Sequence, residues 1–453
     1  MRTTLLNPTV WLLAATCAAG VIGAVRGRTA WASVESLLRI AAMRPVLIIL
    51  LGLAAFGLSS RAVLGFLSPG AYAEEVVAAR TFLDGRNLYG DGLTASQVLG
   101  DPASSAALSF VPWLSTCQGN AIANRATFYT DHAHTPMLLL AGVPIVYAGG
   151  AKMLYLLLLA SSLAAIAIMA GVLIERGGFR WRSPTGMLII AAVAGWQPVL
   201  AGVRQGDAVL PAAGLVTLAW HLISRRRDGP SALPAALAAC LAVPAIGVLP
   251  ALWRTAPRAA AIATGIFLLI ATVTVAAAGV TIVPGFMQTV AETARTYADA
   301  PANYAIAGRA MNAGAGIALL IAALAFVVSC SWWRGTTADA AFANFGMVGL
   351  MVAPVLWSQH LALMLIPMSV LFVRVHRHGS SLALAALAAL ALVFSLPDTI
   401  TIRIAQLSHA FTLFALSLAL VTVWLWTVVS KDAPRGVAVH HPALPSASPL
   451  HVP

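Results

Sequence analysis

Four short stretches of this chain bring acids, imidazoles, amides and a guanidinium together in otherwise apolar surroundings. In GAYAEEVVAARTFLDGRNLYGDG, residues 70–92, Glu74 and Glu75 open a run of helical character, and Gly85-Arg86-Asn87 then turns the chain. A carboxylate held there could act as a general base, or simply suit the positive end of a helix. In TFYTDHAHTPM, residues 127–137, Asp131, His132 and His134 precede Thr135-Pro136, which fits an N-cap followed by Pro at the first helical position. Asp-His-x-His suits a divalent ion, and equally suits acid–base work beside a phosphate. In GWQPVLAGVRQGDAVLP, residues 195–211, Arg204, Gln205 and Asp207 sit between apolar segments, where charge is costly and usually functional. The planar fork of Arg204 fits a phosphate or pyrophosphate; an Arg204–Asp207 ion pair is its competing use. The fourth cluster joins residues 292–312, which include Arg309, to LWSQHL at 356–361. Trp357 and His360 there offer stacking and hydrogen bonding to a sugar ring, although an interfacial Trp often serves only as an anchor.

The elements that must position these residues belong to a membrane. Of 453 residues, 60% are hydrophobic and 9% charged, whereas soluble domains carry about 25% charged residues. Apolar stretches of roughly 18–20 residues recur along the chain, giving about 11 spans, or about 13 if 232–252 crosses as a helical pair. The expected fold is therefore an all-α polytopic bundle with one transmembrane domain over residues 1–430 and a Pro-rich, disordered cytoplasmic tail over 431–453. Residues 9–25 read as a retained first span. Segments 136–150 and 232–252 are short and interrupted by Pro or Gly, as in broken or re-entrant helices that line a cavity.

Lys and Arg number 27 against 15 Asp and Glu. In a soluble protein such an excess would suggest nucleic acid. Here the basic residues fall in short loops (26–44, 175–185, 225–230, and around Arg254, Arg334, Arg374 and Lys431), which the positive-inside bias assigns to the cytoplasm. The alternating loops 67–135, 197–207, 284–312, 357–360 and 397–404 then face the other side and hold all four clusters. The longest of them, 67–135, is expected to form short interfacial helices. Cys17, Cys117, Cys240 and Cys330 show no metal-binding spacing. Phosphate-loop, dinucleotide and zinc-protease motifs are missing where they could work, which leaves ATP-driven transport and soluble-cofactor redox chemistry without support.

In this order, the clusters resemble the polyprenol-phosphate-sugar-dependent glycosyltransferases of the GT-C fold, and within them glycosyltransferase family 87. Gly85-Arg86-Asn87-Leu88-Tyr89 matches the family's G-x-N-x-Y turn, and His134-Thr135-Pro136 echoes its Tyr-Pro-Pro helix entry. Gln205-Gly206-Asp207 resembles its Gly-Gln-x-Asn motif, Asn303 to Gly308 its Asn-Gln-Ser stretch, and Trp357-Ser358-Gln359-His360 its Ser-Trp-x-His-His motif. The similarity spans roughly residues 65–375. Its catalytic Asp would fall near Ala71, and Ala is no base.

The resemblance implies transfer of a sugar, mannose above all, from a polyprenyl-phosphate donor to a glycolipid or polysaccharide acceptor on the extracytoplasmic face of the cell membrane. Glu74, Glu75 or Asp131 then takes the base role left open at Ala71. Arg204 and Arg309 hold the donor phosphate, while Gln205, Asp207, Trp357 and His360 bind phosphate or sugar. No cofactor and no nucleic acid is implied; a divalent cation is compatible with the residues but not required by them. Two alternatives are a transporter or flippase, suggested by the broken helices, and an inactive scaffold, suggested by Ala71.

Overall fold

The computed structural model describes residues 8–25, 43–67, 72–83, 85, 89, 134–297, 303–307, 315–332, 337–353, 355–378 and 381–395. These form helices without a strand among the described residues. In order they are α1 (Pro8–Val25), α2 (Met43–Leu67), α3 (Ala73–Leu83), α4 (Pro136–Arg176), α5 (Pro184–Ala194), α6 (Gln197–Gln205), α7 (Val209–Ser224) and α8 (Asp228–Leu241). A 3₁₀ turn, Val243–Gly247, leads to α9 (Val248–Thr255), α10 (Pro257–Ala278), α11 (Ile282–Thr296), α12 (Ala315–Trp332) and α13 (Ala338–Val352). A second 3₁₀ turn, Ser358–Met364, runs into α14 (Leu365–His378), followed by α15 (Ser381–Val393).

Among the described residues, four helical segments are long and apolar enough to cross a membrane: Arg44–Leu67, Lys152–Arg176, Pro257–Ala278 and Ser358–Val375. A fifth is obtained if α5 and α6, bent by 50° at Gly195–Trp196, form one span. Shorter apolar helices, such as Val209–Ser224 and Ala338–Val352, lie beside them. The protein is thus an all-α, polytopic membrane protein. Ser358–Val375 is its most enclosed span, while Arg44–Leu67 presents Ile48, Ile49 and Phe56 outward, as a lipid-facing helix would.

The packing physics is that of a bilayer protein, in which small residues let backbones approach and dispersion replaces the hydrophobic drive. Helix α8 packs between α7 and α10. The buried contacts there are dominated by alanines: Ala212 and Ala213 on α7, Ala235 and Ala239 on α8, Ala259 and Ala263 on α10. A Cβ added at Gly214 would meet Ala165 of α4 at 2.5 Å, so α7 and α4 touch at backbone distance.

Both segments expected to be broken are broken. In α4 the helical run is interrupted at Gly150, whose φ of 70° and ψ of −175° lie where only glycine sits comfortably. The short piece Pro136–Gly150 therefore departs from the long span Lys152–Arg176. The 232–252 segment is split into α8, a 3₁₀ turn and α9, with the break at Ala242 and Pro244, where Pro removes a donor and clashes with the preceding turn. This hairpin does not hang free. Gly349 of α13 lies directly against the carbonyl of Pro244, and Gly247 lies against the carbonyl of Phe345, a reciprocal backbone contact that any Cβ would block. Loop 197–207, expected as a short turn, is instead mostly the helix α6, because Pro198 at its start and Gly206 in the left-handed region at its end define a two-turn helix.

The reciprocal glycine contact predicts that Gly349→Ala overpacks a site bounded by backbone and costs about 1–3 kcal/mol. Gly346→Ala, on the same helix with nothing within 4 Å of the added carbon, is the control. Thermal unfolding of the purified protein in one detergent should fall for the first and stay put for the second; equal midpoints would show that the hairpin yields.

Candidate functional site

The site gathers residues from all four sequence clusters. Glu75 lies one turn into α3 and is 1% exposed. Its Oε1 accepts a hydrogen bond from His134 Nδ1 at 2.8 Å, while Oε2, also buried, has no hydrogen-bond partner among the described residues. Gly142 of α4 packs beside it, where an added Cβ would be in ordinary van der Waals contact with the Glu75 Cβ at 3.5 Å.

His134 is held from its backbone. Its carbonyl accepts a hydrogen bond from the Tyr89 hydroxyl at 2.8 Å. The next residue, Thr135, caps α4 by accepting from the amide of Leu138 at 3.3 Å, and its hydroxyl donates to the carbonyl of Cys240 at the end of α8. The N-cap read from Thr135-Pro136 is therefore also a strut to the broken hairpin. Burial pushes the Tyr72 phenol up to about 12, and pushes that of Tyr89 well above its ordinary value. Both are neutral donors at any working pH.

The second half of the site lies where α6 meets α7. Gly206, at φ 64°, ends α6 and is wedged between two tyrosines: an added Cβ would sit 2.9 Å from Tyr155 and 3.0 Å from Tyr72. The Tyr155 hydroxyl donates to the carbonyls of Ala62 and Val203, and the Tyr72 amide to that of Gln205 at 3.3 Å, tying α2, α4 and α6 at this corner. Asp207 follows, two residues ahead of α7. Its Oδ1 accepts from the Val209 amide at 2.9 Å, and its Oδ2 from Gln359 Nε2 at 3.2 Å. Asp207 is 3% exposed, so its charge is met by hydrogen bonds rather than by water.

The 3₁₀ turn Ser358–Met364 packs on α6 and α7 and supplies Gln359 and His360. The amide of Trp357 donates to His360 Nδ1 at 2.8 Å. That fixes the ring with its proton on Nε2, leaving a donor for a ligand oxygen. Asp207 and His134 both lie within electrostatic reach of His360. Asn303 sets this turn in place: its Oδ1 accepts from the amides of Ala305 and Leu356, both at 2.9 Å, and its Nδ2 donates to the carbonyl of Tyr297. Tyr297 meets Trp357 edge-on, with ring centroids 5.3 Å apart.

The expected site residues thus divide. Glu75, Asp207 and His360 are brought together. Trp357 borders them, and Gln205, half-buried, sits in the last turn of α6. Arg204 is exposed beside Gln205, and no ion pair with Asp207 forms among the described residues; Gln359 and the Val209 amide satisfy that carboxylate instead. Glu74 is on α3, but its side chain, like Asp131, Arg309 and Ala71, lies outside the described residues. Three residues matter more than their types announced. His134 and Gln359 are the direct partners of the two acids, and Tyr89 holds His134. The signals were a His immediately before a Thr-Pro cap, and a Gln one residue from His360. Among the described residues no group of three or more His, Cys, Asp and Glu is arranged to hold a metal ion.

A carboxylate with one oxygen fixed and the other unpartnered, a neutral imidazole presenting Nε2–H, and a second anchored carboxylate can accept a proton and orient hydroxyl groups. No curated protein and no solved structure matches the chain. The family of membrane enzymes described as glycosyltransferase family 87 does match, over residues 132–358, from the start of the His134 segment to the 3₁₀ turn. With half of its length matched, the chain belongs to glycosyltransferase family 87 and is a membrane glycosyltransferase.

Proposed function

We propose that the protein transfers a hexose or pentose, with mannose favoured by the family resemblance, from a polyprenyl-phosphate donor to a hydroxyl of a cell-envelope glycolipid or polysaccharide. We assign the reaction to the extracytoplasmic face of the cell membrane, a reading supported by the alternation in sequence between the Lys- and Arg-rich loops and the segments that carry the site residues. The observation that carries this reading is Glu75: buried, oriented through Oε1 by His134, and with Oε2 lacking a partner among the described residues. Buried polar atoms are nearly always satisfied, so an orphaned carboxylate oxygen is where a substrate hydroxyl would donate.

In this mechanism Glu75 Oε2 takes the proton of the acceptor hydroxyl as its oxygen attacks the anomeric carbon. The bond from that carbon to the phosphate oxygen breaks, polyprenyl phosphate leaves, and the configuration inverts. Donors aimed at the phosphate stabilise the charge that develops on it. His360 Nε2–H and the exposed Arg204 are suited to that role, with Arg309 as a further candidate. Asp207, Gln359 and Gln205 hold sugar hydroxyls, and Trp357 packs on the ring or on the lipid. The steps need no cofactor, and a divalent cation at the phosphate is compatible with them. Glu74 and Asp131 remain the alternative bases.

The test is transfer of radiolabelled sugar in membranes carrying each variant. Glu75→Gln should lose about 10²–10⁴-fold in rate, the usual contribution of a general base, while Glu74→Ala and Asp131→Ala keep most activity. Full activity in Glu75→Gln would remove Glu75 from the role; a loss confined to Glu74→Ala or Asp131→Ala would transfer it.

Since Glu75 and His134 act as one unit here, His134→Ala should reduce the rate strongly, and the double variant should be hardly slower than either single one, because residues acting as a unit are non-additive. Independent, multiplying losses would break the pair into two unrelated contributions.

A further inference from the structure

The short helix α11, Ile282–Thr296, fits neither a membrane span nor an ordinary surface helix. At about 100° per residue, its side chains fall into three sectors instead of two. Ile282, Phe286, Thr289 and Thr293 share one sector and face the protein: Ile282 is 1% exposed, Thr293 0%, and the Phe286 ring packs 5.8 Å from that of Tyr89. A third of a turn round, Val283 and Met287 in the first two turns are apolar and open, at 50% and 61% exposure, while Ala294 in the last turn of the same sector is buried. The remaining sector is polar: Gln288 donates to Glu292 at 2.7 Å along the helix, and Arg295 is exposed beyond them.

A soluble helix has no use for an open apolar stripe between a buried face and a wet face. A helix lying in the plane of a bilayer surface, at the rim of a protein, needs all three. The stripe also continues an existing lipid-facing surface. Helix α10 exposes Leu268, Leu269 and Val273, ends at Gly279 (φ 87°), and passes through the 73% exposed Val280 into α11. Gly279 makes the bend from span to surface possible without strain.

We propose that α11 is an interfacial helix whose occupant is the bilayer itself: Val283 and Met287 dip into the acyl region, while Gln288, Glu292 and Arg295 stand among the headgroups. Through Phe286 against Tyr89 at its start and Tyr297 against Trp357 just after its end, α11 then fixes the depth of the site at the membrane surface, within reach of a lipid-borne substrate. The proposal rests on the fold and does not depend on the reaction assigned above.

The test places a nitroxide at Val283, Met287, Gln288 or Glu292, in a full-length chain whose Cys17, Cys117, Cys240 and Cys330 are replaced by Ala. The protein is reconstituted in nanodiscs of phosphatidylcholine and phosphatidylglycerol, and a label at Leu268 reports the hydrocarbon. Collision with oxygen relative to a water-soluble nickel chelate should be several-fold higher at 283 and 287 than at 288 and 292, approaching that at 268. Equal wetness at all four positions would overturn the proposal. So would low accessibility of 283 and 287 to both reagents, which would mean that a protein partner covers the stripe. The unsubstituted chain gives a second measurement: in the same nanodiscs Glu292 should couple to an amine with a water-soluble carbodiimide, while Met287 resists chloramine-T. Rapid oxidation of Met287 would overturn the proposal equally.

Discussion

A carboxylate almost wholly withdrawn from water is unstable unless something meets its charge, and at Glu75 the geometry of the whole site follows from how this is done. One oxygen takes the Nδ1 proton of His134. For that bond to persist, His134 must not wander, and it sits immediately before a helix whose first turn is capped by Thr135, strutted to Cys240 and held through its own carbonyl by Tyr89. The glycine-locked hairpin behind Cys240 gives the strut something rigid to push against. Taken away one at a time, each of these features looks structural. Together they keep one carboxylate oxygen satisfied and leave the other available.

The opposite wall follows the same logic with different parts. Asp207 is as buried as Glu75, yet both of its oxygens are occupied, one by the start of α7 and one by Gln359. Two acids of equal burial thereby differ in one respect: both oxygens of Asp207 have partners, while Oε2 of Glu75 has none among the described residues. His360, its Nδ1 committed to the Trp357 amide, keeps Nε2–H as a donor within electrostatic reach of Asp207.

Much of this was legible in the sequence, for identifiable reasons. Charge and amides in apolar surroundings are expensive, so Glu75, Asp207 and His360 stood out against their background, and the family-like order of the motifs placed them in one site. The breaks at Gly150 and around Pro244 were legible because glycine and proline act locally on the backbone. Partnership was not. Nothing in the spacing says that His134 meets Glu75 across 59 residues, or that Gln359 meets Asp207 across 152, because those contacts depend on how α3, α4, α7 and the 3₁₀ turn pack. The Arg204–Asp207 pairing, adjacent in sequence, did not form, since α6 continues to Gln205 and the turn at Gly206 sets Asp207 just ahead of the next helix.

The hydrogen bond from Tyr89 to the carbonyl of His134 joins two points 45 residues apart. It closes a ring whose two ends are both seated against the site, whatever path residues 90–133 take between them. The entropy of closing such a ring grows only logarithmically with its circumference, so doubling its length would cost about 0.6 kcal/mol. The stretch can therefore lengthen or shorten at little entropic cost to the Glu75–His134 dyad.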